Sequence, residues 1–161
     1  MFSIRKYEDK DLSAIIKLAE ELQDYLVKID PLHRLYRLPQ YGVLYAEHIL
    51  TTTKEENGKI FVAEIEDHIF GFIVGCIEKE SELDKLGYKS IKTGRVTELI
   101  ITQKLRGVSA GQALLETIEK YFKLESCDII RIEVFVPNEN ALNFYDHLGY
   151  HPRVIDMVKE I

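Results

Sequence analysis

Val96–Gln112 reads VTELIITQKLRGVSAGQ, and its order of residue types decides the fold. An apolar run ends in polar residues. Arg106-Gly107-Val108-Ser109-Ala110-Gly111 follows, and Gln112 opens a long amphipathic pattern. This order predicts a strand, a tight loop and a helix N-terminus. Such a loop presents backbone N–H groups and the positive end of a helix dipole to an anion. Ser109 and Gln112 fit the S-x-x-Q capping box, which predicts where the helix starts. Arg106 can add a charge-assisted bond to a phosphate oxygen. An ordinary strand-to-helix turn with a surface arginine accounts for the same residues.

Two phosphate-binding patterns fail on spacing. A nucleotide-triphosphate loop needs Lys and Ser/Thr after its last glycine, whereas Gln112-Ala113 follow Gly111. A dinucleotide fingerprint needs three glycines, and only Gly107 and Gly111 stand here.

Outward from this stretch, the rest of the chain alternates strand and helix patterns. Residues 2–7 predict a first strand, and Asp11 offers an N-cap. Ile15, Leu18, Ala19, Leu22, Tyr25, Leu26 and Ile29 then recur at helical spacing until Pro31. Residues 31–40, PLHRLYRLPQ, form a connector that reads either as a loop packed on the core or as a flap over a substrate. A second helix is expected over 41–54. Lys59–Ile65 and Ile69–Ile77 predict a hairpin, with Gly71 and Gly75 marking a bulge or a close backbone approach. A charged loop spans 78–92, and the next strand is Thr93–Thr102. Beyond the helix at 109–125, Ile129–Val136 is the most β-prone run. Glu139–Leu148 predicts a short helix capped by Gly149. Tyr150–Ile161 alternates well enough to predict a final strand.

At 161 residues, with 46% apolar and 30% charged side chains, the chain reads as one soluble domain, 1–161, with an α/β (α+β) arrangement around one sheet. It has no apolar run of membrane-spanning length and no apolar signal core at MFSIRKYEDK, so a cytoplasmic protein is expected. Its net charge of −6 argues against nucleic acid and suits a cationic partner. Cys76 and Cys127 read as inert core thiols, and no Cys/His spacing suggests a metal site.

A second motif lies downstream. Asn138-Glu139-Asn140-Ala141-Leu142-Asn143-Phe144-Tyr145-Asp146-His147-Leu148-Gly149-Tyr150 follows N-x-x-A-x-x-x-Y-x-x-x-G-F/Y. Together with Arg106…Gly111, which is similar to the family motif Arg/Gln-x-x-Gly-x-Gly/Ala, it resembles the GNAT superfamily of acyl-CoA-dependent N-acetyltransferases. Ser109 departs from the pattern, standing where the motif has its first glycine. A Cβ there narrows the approach to a pyrophosphate.

The resemblance implies a single GNAT-like domain with a mixed central sheet of about six to seven strands flanked by about four helices. It implies transfer of an acetyl group from acetyl-CoA directly to a primary amine, in a ternary complex and without a metal. The acceptor would be a small molecule or a peptide, and the final strand offers an edge to a second copy. Arg106, Gly107, Val108, Ser109, Ala110, Gly111 and Gln112 would hold the pyrophosphate. Leu99, Ile100 and Ile101 would pair their backbone with the pantetheine arm.

An amine of pKa about 10 must lose a proton before it attacks, and a thiolate of pKa about 8.5 must leave. By the resemblance, Tyr145 is the candidate general acid, or else a helix tyrosine packed in the core. Glu98 is the candidate base, or else a strand residue facing solvent. The oxyanion would take a backbone N–H of the strand before the loop. Asn138 would bond the pantetheine arm or an ordered water, or else is a turn asparagine after Pro137. An acyl-CoA-binding or sensing module without catalysis, and a small nucleotide-phosphate binder, stand as alternatives.

Overall fold

The computed structural model describes residues 1–107 and 109–161. Among the described residues, five strands form one sheet in the order β1 (Ser3–Lys6), β2 (Lys59–Ile65), β3 (His68–Ile77), β4 (Thr93–Ile101) and β5 (Ile129–Ile132). The first four are antiparallel, and β5 runs parallel to β4. Five α-helices accompany them among the described residues: α1 (Leu12–Ile29), α2 (Tyr41–Glu55), α3 (Asp84–Gly87), α4 (Ala110–Leu124) and α5 (Glu139–His147).

This corrects the expected six to seven strands and four helices. Two things account for the difference. The β-prone run 129–136 stays in the ladder only to Ile132, because β5 pairs with β4 only from Thr93 to Val96. The alternating tail after Tyr150 joins no strand, and its apolar side chains stay exposed. The added helix is the four-residue α3 inside the charged 78–92 segment, where Ser81 and Asp84 bond each other at the helix start.

Local rules explain the rest. Glu66 and Asp67, both at positive φ, make a two-residue hairpin turn between β2 and β3, a geometry that matches strand twist. Asp11 precedes α1, but its side chain does not cap the helix. It takes two bonds from the Arg5 guanidinium, at 2.7 and 2.8 Å, which hold its carboxyl below the usual range. The core divides across the sheet. Ile15, Leu18, Ala46 and Ile49 of α1 and α2 cluster with Val62, Phe72, Val74 and Ile100. Leu114, Leu115, Ile118 and Phe122 of α4 cluster with Ala63, Ile73 and Val96. Each of the Val, Leu, Ile and Phe side chains among these, once buried, contributes roughly 1.5–3 kcal/mol. Gly75 belongs to the close approach of α4: a Cβ there would sit 2.4 Å from Ile118 Cγ1 and 2.6 Å from Phe122 Cζ.

Candidate active site

The site begins with a break in the sheet. Val74 of β3 faces Glu98, but Gly75 faces Val96, so Thr97 is an extra residue on β4. A bulge of this kind bends its strand and re-aims the next side chains. At the same place β4 loses its other neighbour, since pairing with β5 stops at Val96 and Ile132. Leu99, Ile100 and Ile101 therefore face Ile73, Phe72 and Gly71 on one side, and no described strand lies on the other.

The turn into α4 has the predicted order but a different start. Gly107 is left-handed at φ 87°, with open space where a Cβ would point. Val108 lies outside the described residues. Ser109 is the N-cap, left-handed at φ 62° and ψ 8°, and makes no side-chain capping bond. Gln112 bonds Glu116 at 2.9 Å, so the expected capping box does not form. Ala110, Gly111 and Gln112 fill the first turn, where helical geometry leaves amide donors without an intrahelical acceptor. The first return bond runs from Ala113 N–H to the Ser109 carbonyl, at 3.1 Å. Ala110 is buried, while Ser109 and Gln112 are exposed.

Arg106 is exposed and stacks over the Tyr25 ring at 5.1 Å. The Tyr25 hydroxyl donates to Asn138 Oδ1 at 3.4 Å. Asn138 Oδ1 also caps α5 by accepting from Ala141 N–H at 3.4 Å. Asn138 thus caps α5, and Tyr25 joins the two sequence motifs. The pattern-based reading placed Tyr25 only on the apolar stripe of α1, because both its partners are distant in sequence.

Glu98 is partly buried rather than solvent-facing, and accepts a 2.6 Å bond from the Tyr45 hydroxyl. Desolvation raises its pKa to about 7, although Tyr45 and the positive charge of Arg95 both oppose the rise. Tyr45 is a second missed residue. It stacks on Tyr41, with centroids 5.1 Å apart and planes at 14°, and its partner lies 53 residues away. The aromatic i, i+4 pair on α2 was its only sequence signal. Tyr145 packs edge-on against Phe144 and Tyr150. Burial, then the negative charge of Glu98, push its phenol above the usual range, so it stays protonated.

Two cavities meet at Tyr45 and His48. One, of about 400 Å³, lies among Tyr36, Leu38, Tyr41 and Leu44. The other, of about 460 Å³, is bordered by Glu56, Cys76, Arg95, Glu98 and Glu133. The 31–40 connector overhangs the first cavity and is well anchored. Asp30 accepts the N–H groups of Leu32, Arg34 and Leu35, and Arg37 bonds Asp24 at 2.7 and 3.1 Å. Glu21 holds the Thr102 hydroxyl and Gln103 N–H, so the α1 carboxylates serve the protein's own loops. No group of three or more His, Cys, Asp or Glu among the described residues is placed to hold a metal ion. No helix among them is long and apolar enough to cross a membrane.

Residues 16–150 match the model of the acetyltransferase (GNAT) family. The chain belongs to this family and is a GNAT-type acetyltransferase. It is 28% identical over 151 residues to an uncharacterized N-acetyltransferase of Methanocaldococcus jannaschii, covering 93% of this chain and 78% of that one. It is 30% identical over 128 residues to an N-alpha-acetyltransferase of Sulfurisphaera tokodaii, covering 79% and 73%. Among solved structures, a mutant of the BH1408 protein of Bacillus halodurans superposes with a TM-score of 0.86 at 21% identity, covering 99% of each chain. Glucosamine-6-phosphate N-acetyltransferase of Arabidopsis thaliana gives 0.68 at 21% identity, covering 99% and 98%.

Proposed function

We propose that this protein transfers the acetyl group of acetyl-CoA directly to a primary amine, with both substrates bound together. The observation that carries the reading is the edge of β4 from Leu99 to Ile101, unpaired among the described residues. It lies beside a partly buried carboxylate and leads to the amides that open α4. Acetyl-CoA supplies the thioester that the amine attacks. The donors fit it: the amides of Ala110, Gly111 and Gln112, with Arg106, suit a pyrophosphate, and the β4 edge suits the amides of a pantetheine arm. Glu98, ionised above pH about 7, takes the proton of the incoming ammonium. The Tyr145 hydroxyl donates toward the sulfur. A backbone N–H of β4 stabilises the carbonyl oxygen as charge gathers on it. Glu56, Glu98 and Glu133 around one cavity, with Arg95 neutralised by Glu133 at 3.1 Å, favour a cationic acceptor. The N-alpha-acetyltransferase relative makes a peptide α-amine the first acceptor to try.

Calorimetry with acetyl-CoA and with CoA, followed by an amine panel read as free-thiol release, tests this. Saturable binding and amine-dependent release are expected. No binding at millimolar concentration would sink the reading, and binding without release from any amine would make the chain a sensing module.

Ser109 gives a further expectation. An L-residue in the left-handed region costs about 1–2 kcal/mol. The extra freedom of glycine in the unfolded chain offsets about 0.4–1 kcal/mol of that. Ser109→Gly should therefore be slightly more stable, by about 0.5 kcal/mol or roughly 1–2 °C in Tm. Removing the Cβ should also tighten CoA binding. Weaker binding in calorimetry would instead assign the Ser109 hydroxyl a bond to phosphate.

A further inference from the structure

Tyr25 is the only aromatic side chain of α1, and among the described residues it belongs to neither core cluster. Its half-buried ring faces Arg106 instead. The guanidinium lies over that ring at 5.1 Å from the centroid, inside the reach of about 6 Å over which an aromatic face holds a cation. A guanidinium laid on a ring keeps its fork of N–H donors in its own plane, open to phosphate oxygens.

The segment that carries Arg106 is held from α1 at both ends. One turn before Tyr25, Glu21 accepts the Thr102 hydroxyl at 2.9 and 3.0 Å and the Gln103 N–H at 2.7 Å. Thr102 and Gln103 open the short 3-10 turn Gln103–Leu105 that follows β4, and Arg106 closes it. Residues four apart share a helix face, so Glu21 takes the start of this turn and Tyr25 its end. The backbone alone holds Arg106 weakly. Its N–H reaches the Gln103 carbonyl at 3.5 Å, and the next residue, Gly107, is left-handed with open space beside it.

The ring and the hydroxyl of Tyr25 have different partners. The hydroxyl donates to Asn138 Oδ1 at 3.4 Å, a long bond, and Asn138 keeps the Ala141 N–H without it. The ring is therefore the part with the larger effect.

We infer that Tyr25 is a positioning residue for acyl-CoA, acting through Arg106. This rests on the reading that Arg106 and the first amides of α4 receive the pyrophosphate. An exposed arginine gives up many rotamers when it grips a phosphate. Laid against Tyr25, Arg106 has surrendered most of them before the ligand arrives, so binding is tighter although Tyr25 itself bonds no part of the ligand.

Calorimetric titration of acetyl-CoA into four forms of the full chain tests this: unaltered, Tyr25→Leu, Arg106→Ala and the double variant. Tyr25→Leu should raise Kd about 3–10-fold, the scale of ordering one rotamer-rich side chain. In the Arg106→Ala background the same change should move Kd by less than about twofold, because the group that the ring holds is gone. Tyr25→Phe keeps the ring and should bind as the unaltered chain does. With an amine acceptor, Tyr25→Leu should raise the acetyl-CoA KM and leave kcat at saturation unchanged. Leucine is a good helix former, and Tyr25→Met is a second ring-free variant with the same expectation. An equal loss with and without Arg106 would overturn the inference, since Tyr25 would then support only the fold. So would an unchanged Kd in Tyr25→Leu, or a Tyr25→Phe as weak as Tyr25→Leu. An unaltered chain that binds no acetyl-CoA would instead sink the pyrophosphate reading, and this inference with it.

Discussion

Glu98→Gln is expected to lower kcat/KM for the amine by about 10²–10⁴-fold, the usual contribution of a positioned base. Glutamine keeps the shape and still accepts the Tyr45 hydroxyl, so the loss would report the missing proton acceptor. The pH profile carries the sign. Burial places the Glu98 pKa at about 7, so the rate of the unaltered protein should rise with pH through about 7, as the carboxylate ionises. In the variant that limb should disappear. Tyr45→Phe should move it to higher pH, because the Tyr45 bond favours the ionised form and lowers the pKa.

Stability runs the other way. A carboxyl whose folded pKa exceeds its unfolded value of about 4.3 favours folding fully at low pH and loses that contribution as pH rises through about 7. At pH 8 the unaltered protein folds with a costly buried charge, and Glu98→Gln should melt at a higher temperature. An inactive variant that is more stable would separate chemistry from unfolding. A variant with unchanged kcat/KM would remove Glu98 from the role of base and leave a water relay.

How much of this was legible in the chain follows from the range of each interaction. α1, α4 and the β2–β3 hairpin were legible because periodicity and turn residues act over a few positions. The turn into α4 was legible for the same reason. Its cap was not. The S-x-x-Q pattern at Ser109 is compatible with a capping box, but a left-handed backbone at φ 62° turns the serine away from it. The tail was read as a strand because alternation reports propensity, while a strand also needs an edge to pair with. The bond from Tyr45 to Glu98 and the link from Tyr25 to both motifs span 53 and more than 80 positions, where no pattern in a single sequence reaches. The candidate residues were therefore nameable from the motifs, but the groups that bond to them appear only once the chain is folded.

The second large effect concerns Tyr145. The family motif suggested a general acid, and its surroundings define that role more narrowly. Burial and the nearby Glu98 carboxylate raise the phenol pKa well above that of a thiol, about 8.5, so full proton transfer to a departing thiolate would run uphill. What the hydroxyl can do is donate a hydrogen bond as charge develops on the sulfur. Hydrogen bonds to charged groups contribute about 1.5–3 kcal/mol, and 1.36 kcal/mol is tenfold in rate. Tyr145→Phe should therefore lower kcat by about 10–10²-fold. The ring remains against Phe144 and Tyr150, so CoA affinity in calorimetry should be unchanged. The defect should also depend on the leaving group and not on pH. Between pH 7 and 9 the ratio of variant to unaltered rate should stay flat, because no proton of Tyr145 titrates there. A thioester with a more acidic thiol should recover most of the loss, since a weaker base needs the bond less. A ratio that climbs toward one as pH rises past 8.5 would instead identify true proton transfer. Equal rates at every pH would leave Tyr145 as a packed core side chain and nothing more.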